Sequence, residues 1–377
     1  MTKSPKAGRQ GATPTRIVYD VIVLGSQLAA VLAGGLLAKR GYRVLFVDPD
    51  GLGTGYEHEG YQLPYAPAML PHLRRMPAAE TALTELGVAV DLFRTLDAQA
   101  DHELQLLFPR QRLELSPDEG RRSAELTREF AQRKDGLLAG LSAVQARAEA
   151  TDPFFKQALP FPPGGFFERR AVRKAAVACP PVRMDGEPLE ALQGSPFGGA
   201  LESLARFLSN LEDSEAGTLS RLRPVAQLLH GACRFPGGYA GLVEALRARL
   251  LDLGGDVLGD SREPAEVEEL LFDGGRFSGV KLSGSANVYR AGCLVVGMDV
   301  SSLAALISPR AKKHGLSDLL ESVRVRRHLF AVNLVLKEAA MPLGLKELAL
   351  LHPGDEFHGP VLLEVLPAHK GGKELAT

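Results

Sequence analysis

The sequence predicts an α/β protein: a parallel sheet with helices against it, joined to a second, α+β unit. Three observations predict it. Residues 20–48, DVIVLGSQLAAVLAGGLLAKRGYRVLFVD, set two short apolar runs on either side of a helical one. A third run of the same kind, Cys293 to Val296, is apolar enough to join the same sheet far along the chain. With 377 residues there is enough chain for two domains and a large core.

The first element is Asp20 to Leu24, a β-branched run that reads as a buried parallel strand. Gly25 breaks it. Gln27 to Arg40 then carries Ala and Leu at helical spacing, with Lys39 and Arg40 in its last turn and Gly41 as the stop. Arg43 to Val47 is the second strand, and it ends on Asp48. Strand, glycine turn, helix, strand and terminal acid form the Rossmann-like βαβ unit that binds dinucleotides. A helix starting at Gln27 aims backbone N–H groups and a partial positive charge at the turn, where a pyrophosphate can sit. Asp48, 23 residues after Gly25, is placed to accept hydrogen bonds from a ribose. The fingerprint G-x-G-x-x-G needs glycine at 25, 27 and 30; the chain has Gly25, Gln27 and Ala30. Ala30 still lets helix and strand pack closely, whereas the Gln27 side chain stands where bare backbone should meet phosphate. Val21 to Ala38 carries no charge and follows a basic tail, as a membrane anchor would. Gly25, Ser26 and Gln27 interrupt that run, Asp20 abuts it and a soluble strand follows, so the anchor reading is set aside.

Residues 1–16 read as a disordered, basic leader. Residues 49–67 are a turn-rich, aromatic loop with Gly51, Gly53 and Gly55, leaving the strand end where ligands bind in such sheets. Ala78 to Leu86 reads as a helix stopped by Gly87. Glu103 to Phe108 and Gln111 to Leu115 pair as a hairpin around Pro109 and Arg110. Ser116 to Ala150 reads as one long helix, with a capping box of Ser116 and Glu119, in a separate substrate or cap domain. Residues 151–186 gather Phe154, Phe155, Phe161, Phe166 and Phe167 around prolines, beside Arg169, Arg170, Arg173 and Lys174. Exposed, such rings beside cations suit peripheral contact with a membrane surface through 154–174; folded inward, they belong to the core or to a lid over an apolar substrate.

Residues 187–230 read as mostly helical, and Leu201 to Leu211 as amphipathic. Pro236-Gly237-Gly238 feeds a helix from Ala240 to Leu253, closed by Gly254 and Gly255 before a short strand. Residues 262–299 read as strand, turn, strand and strand, with the hairpin turn at Asp273-Gly274-Gly275. Residues 316–338 read as a helix and then a strand, Leu329 to Leu336, and 361–365 as another short strand.

Composition narrows the function. A net charge of −1 disfavours nucleic acid. Three distant cysteines, Cys179, Cys233 and Cys293, point to free thiols in a reducing, cytoplasmic compartment. No Ser-His-Asp array, metal-ligand spacing or H-E-x-x-H is present, so no catalytic residue and no metal ligand is assigned, and His58 reads as a solvated loop residue.

Taken together, four blocks resemble the flavin amine-oxidase and phytoene-desaturase superfamily, the phytoene-desaturase-like branch best. They are YDVIVLGSQLAAVLAGGLLAKRGYRVLFVD, GLGTGYEHEGYQLPYAP, FPGGYAGLVEALRARLLDLGGDV, and EVEELLFDGGRFSGVKL with CLVVGMDVSSLAALI. The resemblance runs from about residue 18 to 340. It implies a discontinuous FAD/NAD(P)-binding domain, 17–75 with 232–300, and a substrate domain, 76–231 with 301–377. It implies FAD, with Gly25, Ser26, Gln27, Leu28, Ala29 and Ala30 at the pyrophosphate, Asp48 at the adenosine ribose, Val267 at the adenine, and Gly53 in the loop that runs past the phosphates or ribityl chain. It implies an FAD-dependent oxidoreductase of dehydrogenase or desaturase type, acting on an apolar, polyene- or lipid-like substrate. Two departures keep alternatives open: Gln27, and the lack after residue 340 of the family's closing glycine-rich, Gly-Asp flavin segment. One alternative is a non-catalytic relative on the same fold, of the kind that carries prenylated proteins. The other is one subunit of a two-chain flavoenzyme whose partner chain completes the fold.

Overall fold

A computed structural model describes residues 16–49, 55–65, 69–71, 73–97, 100–157, 159–179, 190–193, 195–209, 217–259, 265–307, 320, 323, 330–352, 360–366, 369–370 and 373–374. The chain divides into two compact units, 1–54 with 240–331, and 55–239 with 332–377.

The first unit is a Rossmann-type α/β layer. Val21–Leu24 and Val44–Val47 are strands in which every residue is buried. They run parallel, Val21 opposite Val44 and Leu24 opposite Val47. Cys293–Val296 adds on one side, parallel to Val21–Leu24, and Asp256–Leu258 adds on the other, parallel to Val44–Val47. The two central strands carry no polar residue because both faces of a parallel sheet are covered. The helix Leu28–Lys39 connects them, burying Ala30, Val31, Gly34, Gly35 and Ala38. Gly34 is there for proximity: a Cβ on it would stand 3.1 Å from the Val23 side chain. Gly41, with φ of +87°, ends the helix in the left-handed region.

A second sheet of the same unit is a meander. Val267–Asp273 and Arg276–Leu282 pair antiparallel across the Gly274-Gly275 turn, and Val288–Arg290 follows. Arg16–Val18 pairs parallel to that last strand, so the tail expected to be disordered through residue 16 is ordered from Arg16. Tyr19, Ile22, Leu24, Leu45, Val47, Val267, Leu270, Val280 and Tyr289 form the unit's core.

The second unit holds a four-stranded sheet ordered Val361–Glu364, Leu348–Leu351, Leu104–Leu107 and Arg112–Leu115. The Leu104–Arg112 hairpin is as expected. Helices Glu119–Phe130, Lys134–Glu149, Pro196–Ser209 and Thr218–Leu228 contribute Leu126, Leu141, Phe197, Leu204 and Val225 to its core. Two expectations are corrected here. The long helix from Ser116 is two helices separated by a 3-10 turn at Ala131–Arg133. Its cap is Asp118, whose carboxylate accepts from the Arg121 N–H at 2.7 Å, whereas the Ser116 hydroxyl accepts from the Asp118 N–H at 3.2 Å. Asp118 wins because it stands directly before the first helical residue.

The strand expected at Leu329 to Leu336 is absent over its described part. Residues 330–336 pair with no strand, and Phe330 is 90% exposed. Among the described residues Asn333 ties the segment down, donating to the Pro64 carbonyl at 2.9 Å beside the Gly55–His58 and Tyr61–Pro64 hairpin. Among the described residues no helix is long and apolar enough to cross a membrane, and no three metal-ligating side chains cluster.

Candidate functional site

The described residues among those predicted, Gly25 to Ala30, Asp48 and Val267, lie toward the carboxyl ends of the parallel strands. Gly25 leaves Val21–Leu24 with φ of +96°, and its N–H donates to the Val47 carbonyl at 2.9 Å. A Cβ at Gly25 would lie 2.3 Å from the Gly297 carbonyl oxygen, so no other residue fits that turn. Gly297 is the reciprocal case, since a Cβ there would stand 2.4 Å from the Ala30 Cβ. Ala30 thereby keeps the close helix-to-strand packing that the fingerprint's last position requires.

Gln27 caps the helix with φ −60° and ψ 135°, a conformation open to any residue, and makes no side-chain cap bond. Its N–H donates to the Gly297 carbonyl at 3.0 Å. Its side chain is exposed. The damaged fingerprint position has thus been recruited into the fold: its amide binds protein. The N–H groups of Ser26 and Ala29 have no acceptor among the described residues, and the Ala30 N–H folds back to the Gln27 carbonyl at 2.9 Å. Together with the N-terminus of a twelve-residue helix, those amides suit a diphosphate.

The ribose end differs. Asp48 is fully buried. Its carboxylate lies 3.6 Å from the Arg247 guanidinium, which is itself buried on the helix Gly238–Asp252. Arg247 also donates to the Gly259 carbonyl at 2.7 Å and lies 5.5 Å from the centre of the Phe46 ring. The acid expected to receive a ribose therefore faces a cation from its own chain. The Asp48 main chain is equally engaged: its N–H donates to the Leu258 carbonyl at 2.9 Å, and its carbonyl accepts from the Ala265 N–H at 3.0 Å. That last bond brings Val267, paired with Leu282, to the same end of the sheet as Asp48. Gly53 lies outside the described residues.

Sequence reasoning missed Gly259, Gly297, Asp299 and Arg247. The two glycines repeat the Gly25 pattern, each following a short apolar strand directly. Asp299 caps the helix Val300–Ala305; its hydrogen bond from the Ser302 side chain, followed by that from the Ser302 backbone, holds its carboxyl below the usual range. Arg247 had its own signal, a cation at helical spacing among the buried Val243, Leu246 and Leu250. The residues present fit a dinucleotide at its phosphates. At the adenosine ribose they fit one only if Arg247 gives way.

A separate cleft of about 390 Å³ in the second unit is lined by Arg74, Arg75, Glu149, Asp152, Arg223 and His230 among others. Its charges answer one another, Arg223 to Asp152 at 2.9 Å and His230 to Glu149 at 3.4 Å, and it offers no apolar channel.

No family model matches the chain, and no curated protein matches it. Among solved structures, an oxidoreductase from Methanosarcina mazei matches at 16% identity over 81% of this chain and 65% of that one, with a TM-score of 0.48. RAB GDI from Plasmodium falciparum matches at 12% identity over 77% of this chain and 67% of that one, with a TM-score of 0.45. A double mutant of putrescine oxidase matches at 14% identity over 78% of this chain and 61% of that one, with a TM-score of 0.42. The chain spans about two-thirds of these proteins' lengths. Likenesses at these scores assign no chemistry to this chain; the fold class stands on its own parallel sheet and βαβ turn.

Proposed function

We propose that the chain is a flavoprotein-type oxidoreductase, binding FAD at the Gly25 turn and acting on an apolar, polyene- or lipid-like substrate. The observation that carries the reading is that turn: a left-handed glycine, then a helix start whose Ser26 and Ala29 amides have no acceptor among the described residues, at the carboxyl end of a parallel sheet. Gly25, Ser26, Leu28, Ala29 and Ala30 would hold the diphosphate, with the Gln27 amide spent on Gly297. Asp48 would take the ribose once released from Arg247, and Val267 would border the adenine. Bound there, FAD supplies the two-electron chemistry, while the chain binds it, orients it and keeps water out. The test is the absorption spectrum of the purified protein, with an FAD titration followed by flavin fluorescence. A flavin band, or saturable quenching, is expected. Colourless protein that leaves FAD fluorescence unchanged overturns the reading.

Two observations favour rival readings. The Asp48–Arg247 contact favours a non-catalytic relative on the same fold. The exposed apolar segment 330–336, which pairs with no strand among the described residues, favours a partner chain that pairs with it. A second polypeptide copurifying in fixed ratio is the result expected of the latter.

A further inference from the structure

We propose that the helix Phe166–Ala178 and the turn before it are a docking surface for an anionic lipid bilayer. This inference stands apart from the nucleotide site.

The phenylalanine cluster divides in two. Phe154 and Phe155 are half-buried, and the Arg223 guanidinium lies 4.4 Å from the centre of the Phe155 ring, which ties that pair to the body of the unit. Phe161, Phe166 and Phe167 face solvent; Phe166 is 73% and Phe167 82% exposed, their rings 5.7 Å apart. Of the thirteen helical residues, Ala175 alone is buried, and Val172 is half-buried. At about 100° per residue, the side opposite Ala175 carries Phe166, Arg170, Arg173 and Val177. Arg169 and Lys174 flank it, and Phe167, about 80° round from Ala175, is exposed beside Lys174. The outward face thus sets its cations between a ring at its start and a branched carbon at its end, and Val177 at that far end is 81% exposed.

The charge is uncompensated. Arg169, Arg170, Arg173 and Lys174 are all exposed, and none has an acidic partner among the described residues. The one acid in this stretch, Glu168, is occupied elsewhere: its carboxylate accepts from the Gly164 N–H at 2.6 Å and from the Gly165 N–H at 3.1 Å, fastening the turn to the helix start. A chain of net charge −1 has therefore set four cations on one short helix and turned that helix's one carboxylate to capping. Rings that bury at the headgroup boundary, beside cations that stay with lipid phosphates, are what an interfacial helix needs. A nucleic acid would use the cations but has no call on Val177.

The experiment is sedimentation of the full chain with phosphatidylcholine vesicles, made with and without phosphatidylserine. Two double variants accompany it, Phe166→Ser with Phe167→Ser, and Arg170→Glu with Arg173→Glu. All four positions are exposed, and circular dichroism confirms that each variant is folded. Binding to the phosphatidylserine vesicles is expected, about tenfold weaker or more to phosphatidylcholine alone, weakened by salt, and reduced about tenfold or more in each variant. Wild-type protein that stays in the supernatant with anionic vesicles overturns the proposal. So does vesicle binding that both variants retain, and so does binding to duplex DNA or RNA without binding to vesicles.

Discussion

Arg247 and Asp48 meet in the interior: a guanidinium nitrogen stands 3.6 Å from a carboxylate oxygen, and both side chains are buried. Two buried charges without each other are costly, so the pair holds the helix Gly238–Asp252 against the end of the strand Val44–Val47. Replacing Arg247 by Leu removes the cation facing the buried carboxylate and is expected to cost about 3–5 kcal/mol. Adding Asp48→Asn to Arg247→Leu should restore much of it. Urea unfolding of the two variants checks this; equal losses in single and double variants would show the two residues to be uncoupled.

At position 27 a glycine should help the ligand and barely touch the fold. Gln27 makes no cap bond and its backbone needs no unusual angle. Gln27→Gly is expected to cost a few tenths of a kcal/mol and to tighten FAD binding by about tenfold, or about 1.4 kcal/mol. Flavin fluorescence titration of both proteins decides; equal affinities would place the phosphates away from this side chain.

Tyr19 predicts an alkaline limit. Burial first, and then its hydrogen bond to Asp256 at 2.8 Å, push its hydroxyl up to about 12. The folded chain then keeps a proton that the unfolded chain loses near the ordinary tyrosine value of about 10. Tyr19 contributes its full stabilisation below about pH 10, and that contribution declines as pH rises toward about 12. Tyr19→Phe should flatten the fall in thermal midpoint across that interval while leaving the profile below it unchanged in shape.

The helix cap offers a fourth check. Asp118→Ala should cost about 1 kcal/mol through the cap, while Ser116→Ala, which removes its contact with the Asp118 N–H and its hydrogen bond to the Glu103 carboxylate, should leave the helix start intact. Faster amide exchange at Arg121 in Ser116→Ala than in Asp118→Ala would return the cap to Ser116.

Much of the first unit was legible because its signals are local. Runs such as Val21–Leu24 and Val44–Val47 declare a doubly covered strand by composition alone, and Asp273-Gly274-Gly275 declares a hairpin. Gly25 and Ala30 were readable as packing requirements, yet the atom each packs against, in Gly297, is remote in sequence and invisible to spacing. Asp48 shows the limit most plainly. A strand-terminal acid advertises a ribose, and only the fold reveals the arginine already beside it. At 330–336 the pattern of apolar residues announced a strand, but a strand needs a neighbour, and composition cannot supply one.

Val21 has for its partners Val44 on one side and Cys293 on the other. During synthesis the first pairing can close almost at once, whereas the second must wait until the inserted unit has left the ribosome. For that interval one edge of an all-apolar ribbon stays uncovered, and closing it means joining the two ends of a very long loop. Folding of this chain is therefore expected to be paced by the arrival of its late strand, with chaperone dependence concentrated before that moment.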